Sequence, residues 1–503
     1  MGGPMEPARE RDREPDAGAA SGRVRSFEMT GGAAKGTLQL SSEHALGLVT
    51  GYFATLVLAR ELGPGAFGLY GIVVSVLNWA ETTGQFGLPS AATRLIAEEK
   101  EDRDRVGETT LVLGIASFLG VFVLFLLAAP LIARLLRAEG DVSLFRLAAL
   151  DIPLFGAYVV MKGIGLGRRR FGTVALGGFL VGLAKLLGVL LLVAVGFSVA
   201  RALVVVIAGS LVGLFVFVAR IPIRVARPDP RLVASLLRIA FPLALSSLAL
   251  SLLHTVHLWQ LKSLLGEGGE QIVGVYVAGS LLARAPERIV IAVGAVLFPS
   301  ISRAMANRDH EEALHYVRGA VRFLWLTLLP IAAFIVLDAE SIMTFLFSTK
   351  YSGGGEVLRV LIVAYCMMSF LVSFFMMLWG RGEFYRAALL GFGLVGLMLA
   401  SGFVLVPRWG AIGAAYSLLG TTLLGATITA LFVRHRFGGL VLKRTVLRVV
   451  LAALVALALA VSLRVEGVLL IPKYAGVFAL YVGVLALTRE LKRKDFAALL
   501  FWR

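Results

Sequence analysis

The sequence predicts an all-α membrane protein of about fourteen transmembrane helices, built as two parallel six-helix lobes plus two C-terminal helices. Three observations predict it. Hydrophobic residues make up 58% of the 503 and charged residues only 16%, where a soluble chain carries about a quarter charged. The apolar residues fall in long runs separated by charge clusters, giving a mean hydropathy of +0.85. Finally, the second half of the chain repeats the first.

Runs of about 17–25 apolar residues, the length that crosses a bilayer, occur near 40–59, 67–90, 110–133, 144–166, 172–195, 200–219, 236–263 and 273–300. Six more lie near 318–338, 355–379, 384–406, 411–433, 445–463 and 470–488. With the N-terminus placed in the cytoplasm, the tails and even-numbered loops hold 34 of the 49 Lys and Arg, the odd-numbered loops hold 11, and four lie within spans. This bias toward one side is the positive-inside pattern. It predicts a multi-pass protein of the cell (cytoplasmic) membrane, in contact with membrane lipids, with both termini cytoplasmic. The net charge of +17 is spread in short clusters at span ends, which accords with orientation in a membrane and gives no nucleic-acid surface. Residues 1–36 are polar, of low complexity and without an apolar core, so they are expected to form a disordered cytoplasmic tail. The single cysteine, Cys366, excludes an intrachain disulfide.

The repeat shows in four ordered matches. Gly167–Phe171 (GRRRF) is echoed by Gly380–Phe384 (GRGEF), and Leu180–Leu183 (LVGL) by Leu394–Leu397. Leu62-Gly63 and Gly68-Leu69-Tyr70 recur as Leu265-Gly266 and Gly274-Val275-Tyr276, and Leu88-Pro89-Ser90 as Phe298-Pro299-Ser300. A period of six spans returns the chain to the same side, so the halves are parallel and related by an axis along the membrane normal. The expected divisions are residues 37–227 for the first lobe, 228–437 for the second and 438–503 for spans 13, 14 and the C-terminal tail. Transporters of this build take substrate between the lobes.

The stretch Leu58–Glu99, LARELGPGAFGLYGIVVSVLNWAETTGQFGLPSAATRLIAEE, resembles the span 1–2 signature of the polysaccharide flippases of the multidrug/oligosaccharidyl-lipid/polysaccharide exporter superfamily. Phe345–Leu361, FLFSTKYSGGGEVLRVL, resembles their loop before span 10, with Phe347-Ser348 where the family usually has Phe-Gly. The resemblance runs from about Leu38 to the end. These motifs read mainly as architecture, with Gly63-Pro64-Gly65 making a tight turn and Gly68 and Gly71 allowing close helix approach. The resemblance implies that a polyprenyl-pyrophosphate-linked glycan is moved from the inner to the outer leaflet by alternating access, for cell-surface polysaccharide synthesis. Glycosyltransferases and a polysaccharide polymerase are the partners it implies. Related readings are a flippase for the peptidoglycan precursor and a multidrug exporter. A different class is a non-transporting membrane scaffold for polysaccharide assembly.

An ionisable residue inside a span is costly and marks a candidate site. Lys185 lies mid-span in span 5, and its repeat mate is the apolar Leu399. Its ammonium suits a phosphate, the alternative being a pair with a carboxylate of a neighbouring helix. Arg284, Glu287 and Arg288 share a face of span 8 beside Pro286, and broken helices at mid-membrane build binding sites. They read either as pyrophosphate ligands tuned by Glu287 or as an internal Arg284–Glu287 pair. Glu81 of span 2 stands as the repeat mate of Glu287. Ser247, Ser251, His254 and His257 form a polar stripe on span 7, and histidine suits a proton-linked switch. Glu43, His44, Glu81 and Asp151 join the histidines as coupling or gating candidates, with interhelical hydrogen bonding as the alternative role. Nothing has zinc spacing, no glycine-rich loop follows a strand and no nucleophile arrangement stands out. No cofactor, metal or catalytic residue is therefore expected, and the chain is not read as an enzyme.

Overall fold

A computed structural model describes residues 17–98, 102–222, 226–266, 268–288, 290–291, 309–437, 443–463, 465 and 467–490. Among them every long regular element is an α-helix. Eleven stretches are long and apolar enough to cross a membrane. Two of these, Val49–Glu98 and Phe384–His435, hold 50 and 52 residues. A straight helix of 50 residues would be about 75 Å long, more than twice the ~30 Å hydrocarbon core. Each is broken at a glycine, Gly63 (φ 71°, ψ 169°) and Gly410 (φ 56°, ψ −129°), so each supplies two spans. The described residues thus carry thirteen spans, and helix Glu270–Ala283, with 14 residues, is too short to cross the core by itself.

The helices run in order as α1 (Ala17–Gln85), α2 (Leu88–Glu98), α3 (Arg103–Leu135), α4 (Val142–Ala149), α5 (Asp151–Gly167), α6 (Phe171–Val195) and α7 (Val199–Arg220). Then come α8 (Pro230–Leu265), α9 (Glu270–Ala283), α10 (His310–Leu337), α11 (Ala339–Phe347), α12 (Gly354–Gly380), α13 (Phe384–Phe437), α14 (Lys443–Ser462) and α15 (Leu470–Leu487). Their starts are chemically marked: Asp102, Ser198, Asp229 and Asp309 each accept a hydrogen bond from a backbone N–H of the first turn. Residues 17–36, expected as part of a disordered tail, are instead the first turns of α1. Extending a helix costs far less than nucleating one, and the apolar span behind them supplies the nucleus. Residues 1–16 lie outside the described ones.

The repeat is visible in the backbone. At the end of α5, Arg168 N–H donates to Ile164, Arg169 N–H to Leu166 and Arg170 N–H to Gly165. At the end of α12, Arg381 N–H donates to Met377, Gly382 N–H to Trp379 and Glu383 N–H to Leu378. Every donor and acceptor of the second set stands at the offset that separates the GRRRF and GRGEF motifs. Both ends close with a left-handed residue, Arg169 (φ 56°) and Gly382 (φ 74°), in the same six-to-one helix cap. Gly63 (φ 71°) and its mate Gly266 (φ 75°) share a second unusual conformation.

Within the first half, α1 packs on α6, α6 on α7, and α5 on α2, α3 and α7. In the second half α13 packs on α8 and α12, and α9 on α12. The limb of α1 after Gly63 joins the halves. Ser75 accepts from Trp259 Nε1 at 2.9 Å, the Trp79 and Trp259 rings meet edge-on at 5.8 Å, and Phe86 meets Phe241 at 6.0 Å.

Helices α14 and α15 build a separate core with α10, made of Phe334, Val449, Ala452, Ala456, Val477 and Tyr481 among others. Ion clusters pin both ends of this trio. At one end Lys473 Nζ lies 2.5 Å from the Asp338 carboxylate. At the other, Glu490 takes Arg322 at 3.0 Å, Arg448 at 2.8 Å and the Thr445 hydroxyl at 2.8 Å. Burial pushes the Glu490 carboxyl up, but hydrogen bonds from Arg448 and Thr445 and the charge of Arg322 outweigh it and hold it below the usual range. A depressed carboxylate adds stability that is complete above the ordinary glutamate value of about 4.3 and is lost as pH falls through the depressed one. Glu490→Gln is therefore expected to melt lower at neutral pH and to lose this acid-side decline, measured by thermal unfolding in detergent across pH. An unchanged acid profile would show that Glu490 does not tie the last helices to α10.

Candidate functional site

The break in span 8 sets the first cluster. Pro286 has no N–H to give to the carbonyl four residues back and crowds it, and α9 accordingly stops at Ala283. Arg284 follows in a turn, and residues 285–288 resume a helical turn. Freed from the regular helix, Arg284 reaches two neighbours. Its Nε donates to the Tyr365 hydroxyl at 2.7 Å, its guanidinium lies 5.2 Å over that ring, and its Nη2 donates to the His254 carbonyl. Glu287, 6% exposed, places Oε1 2.9 Å from His254 Nε2. His254 Nδ1 lies 2.8 Å from the Leu250 carbonyl, so the ring bridges its own helix and Glu287. His257 is buried, with Nδ1 2.8 Å from the Tyr276 hydroxyl and Nε2 3.4 Å from that of Tyr365. Glu287 Oε2 is buried without a hydrogen-bond partner among the described residues.

Arg288 differs from Arg284. It is exposed, and no hydrogen bond or ion pair engages it among the described residues. Across the lobes, Tyr52 of α1 lies within the electrostatic reach of Arg288, Arg284 and Glu287. One guanidinium is thus anchored, while its neighbour is exposed and within electrostatic reach of Tyr52.

A second cluster forms in the first half. Glu81 of α1 and Asp151 at the start of α5 are 5% and 1% exposed and interact side chain to side chain. Ser210 of α7 hydrogen-bonds Asp151, and Lys185 of α6 lies in the field of both carboxyls. The Lys185 stem lies across Gly209, where a Cβ would come 2.9 Å from its Cε. Two carboxyls in contact repel when both are ionised, and Lys185 supplies the nearby positive charge.

The structure therefore splits the residues singled out from sequence. Arg284, Arg288, Glu287, His254 and His257 come together, whereas Lys185 joins Glu81 and Asp151. The repeat mates Glu81 and Glu287 are each buried in one cluster. The side chains of Glu43 and His44 lie outside the described residues. Tyr52, Tyr276 and Tyr365 were missed. A tyrosine inside an apolar run carries no charge penalty to flag it, and only the hydrogen-bonding need of a buried hydroxyl could have pointed to it.

The chain matches the family described as "Polysaccharide biosynthesis protein" over residues 33–305. It is 27% identical over 338 residues to the succinoglycan biosynthesis transport protein ExoT of Rhizobium meliloti, covering 65% of each chain. It is 28% identical over 149 residues to the stage V sporulation protein B of Bacillus subtilis, covering 28% of this chain and 29% of that one. The matched parts are thus less than two thirds of these relatives' lengths. Among solved structures, the lipid II flippase MurJ in an inward closed conformation superposes with a TM-score of 0.72 at 12% identity, covering 90% of this chain and 99% of that one. An inward-facing multidrug resistance MATE family transporter of the MOP superfamily gives 0.63 at 20% identity, covering 79% and 95%. At these identities the likeness is one of fold: a multi-pass helical bundle shared with membrane transporters. Matched by the family over more than half its length, the chain belongs to the polysaccharide biosynthesis protein family.

Proposed function

We propose that this protein is a flippase that moves a polyprenyl-pyrophosphate-linked oligosaccharide from the inner to the outer leaflet by alternating access. The observation that carries the reading is Arg288, exposed and without a hydrogen bond or ion pair among the described residues, beside the anchored Arg284 and within electrostatic reach of Tyr52 of the first half. A pyrophosphate leaving water must exchange hydration for fixed positive groups, and charge-assisted hydrogen bonds are the strong ones. In this arrangement Arg288 contacts the headgroup, while Arg284, held by Tyr365 and His254, sets the local field. Glu287 stays paired to His254 and is left unable to neutralise Arg288 through that oxygen. Lys185, with Glu81 and Asp151, serves the coupling side of the cycle.

The relatives named for succinoglycan transport and for flipping lipid II support a lipid-linked, anionic cargo. The charge bias supports a cell membrane protein with cytoplasmic termini, and the family's polysaccharide biosynthesis context supports work beside glycosyltransferases and a polymerase. A scaffold would have no use for an exposed arginine so placed. The test is translocation of a fluorescent polyprenyl-pyrophosphate-linked oligosaccharide in proteoliposomes, against the same glycan on a neutral lipid. Selective movement of the pyrophosphate-linked lipid is expected. Equal movement of both, or of neither, would remove the headgroup site from the reading.

A further inference from the structure

At the face where Gly63 breaks α1 the two halves meet in contacts that repeat under the internal offset. A Cβ on Gly68 would collide with the Glu270 carbonyl oxygen and lie 2.7 Å from the Gly274 nitrogen. A Cβ on Gly274 would collide with the Pro64 carbonyl oxygen. Pro64 and Glu270 stand at the same offset as Gly68 and Gly274. Gly71 and Val277 share that offset, and Val277 Cγ1 lies 2.7 Å from where a Cβ on Gly71 would stand. A contact from i to j matched by one from j to i is the mark of a two-fold interface. The pseudo-two-fold axis relating the halves therefore passes between Gly68 and Gly274.

Each half also reaches over the other at this face. From the second half, the last turn of α11 receives Arg60, whose Nη2 donates to the Phe345 carbonyl at 3.0 Å, and the loop that follows completes the strap. The same loop sends the buried Tyr351, whose hydroxyl donates to the Ala59 carbonyl at 2.6 Å. From the first half, Arg137 covers the end of α8, its Nη1 2.8 Å from where a Cβ on Gly266 would stand. Asp141 lies in the field of Lys262 and Glu270. Arg137 and Lys350 stand at the offset of the GRRRF and GRGEF motifs, so the two straps are themselves repeat mates.

We propose that these contacts are the closing device of this face: a glycine seal on the axis, fastened by two swapped loop straps that part together in each transport cycle. The physical case is that the seal is backbone against backbone. Small residues let helices touch closely, so between Gly68 and Gly274 little side-chain packing holds the surfaces, and opening mainly requires withdrawing the buried Tyr351 from Phe67. The few directional bonds sit in the straps, where each is a single hydrogen bond or charge pair. The two stretches that carry the family resemblance, 58–99 and 345–361, supply most of these groups, which assigns them a moving role as well as an architectural one.

The inference rests on the transport reading above, and its test separates the two. A Cβ on Gly65 would lie 3.9 Å from Gln271 Cγ, so cysteines at these positions fall near disulfide reach. In a Cys366→Ala background, Gly65→Cys with Gln271→Cys is expected to join on oxidation. Translocation should then fall in proportion to the joined fraction and return with reductant. Failure to join, or full-rate translocation by joined protein, would overturn the proposal. A milder variant guards against misfolding. Tyr351→Phe loses one hydroxyl, and it should raise the labelling of a lone Gly65→Cys by an impermeant maleimide severalfold. Unchanged labelling overturns the strap. If the parent protein moved no lipid-linked glycan, the transport reading would fall, and labelling alone would decide the device.

Discussion

Arg288→Ala is expected to slow translocation about tenfold to a hundredfold at unchanged membrane abundance, while Arg284→Ala is expected to lower abundance as well. A charge-assisted hydrogen bond contributes about 1.5–3 kcal/mol, and each ~1.4 kcal/mol is a factor of ten. Arg288 is exposed, makes no hydrogen bond or ion pair among the described residues and acts on Glu287 less than Arg284 does, so its removal mainly subtracts a cargo contact and leaves the bundle folded. The defect should appear mainly as a raised half-saturating lipid concentration. Arg284 stands otherwise. Its loss strips the donor from Tyr365 and from the His254 carbonyl and takes a positive charge from buried Glu287. Breaking a buried charged network by removing one member costs about 3–5 kcal/mol, a large share of a typical stability of about 5–15 kcal/mol. The measurement is translocation normalised to membrane abundance, with abundance itself as second readout. Full activity in Arg288→Ala would sink the assignment, and identical behaviour of the two variants would remove the distinction between presented and anchored arginine.

Lys185→Met is expected to abolish most transport, and Asp151→Asn on top of it to restore folding. With the ammonium gone, Glu81 and Asp151 face each other without the positive charge that offsets them. Even ~1–2 kcal/mol of destabilisation changes abundance several-fold, so the single variant should be scarce in the membrane. Neutralising one carboxyl removes the repulsion and should bring abundance back. If Lys185 instead held the pyrophosphate, the second change would rescue nothing and the single variant would be abundant but slow. Quantitative immunodetection of both variants, beside translocation, separates the two roles.

The helices were legible because each rests on a local quantity. An apolar run long enough to cross the hydrocarbon is recognisable from its own residues, and the positive-inside bias needs only counting. The repeat was equally legible, and its caps reappear in the backbone at Arg168–Arg170 and Arg381–Glu383 with the predicted offset. The helical course of residues 17–36 was not legible. Composition registers whether a segment can bury apolar surface, and it does not register that a neighbouring span will template a helix. The candidate ionisable residues were also legible, because a charge inside an apolar run is costly wherever it points.

The sequence by itself determined the class of protein, its many helical spans, the two-fold plan and a short roster of intramembrane charges. Only the tertiary structure decided which charges share a site. Lys185 and Arg284 looked alike along the chain, yet one lies with Glu81 and Asp151 and the other is held by Tyr365 and His254. The physical reason is that the cost of burying a charge is a property of one residue, whereas its compensation depends on which helices pack together. Tyr365 lies far along the chain from Arg284, at a separation that no periodicity records. The same holds for Gly68 and Gly274. Each glycine reads as a small residue in its own helix, and only the packing of α1 against α9 sets them against each other on the axis between the lobes.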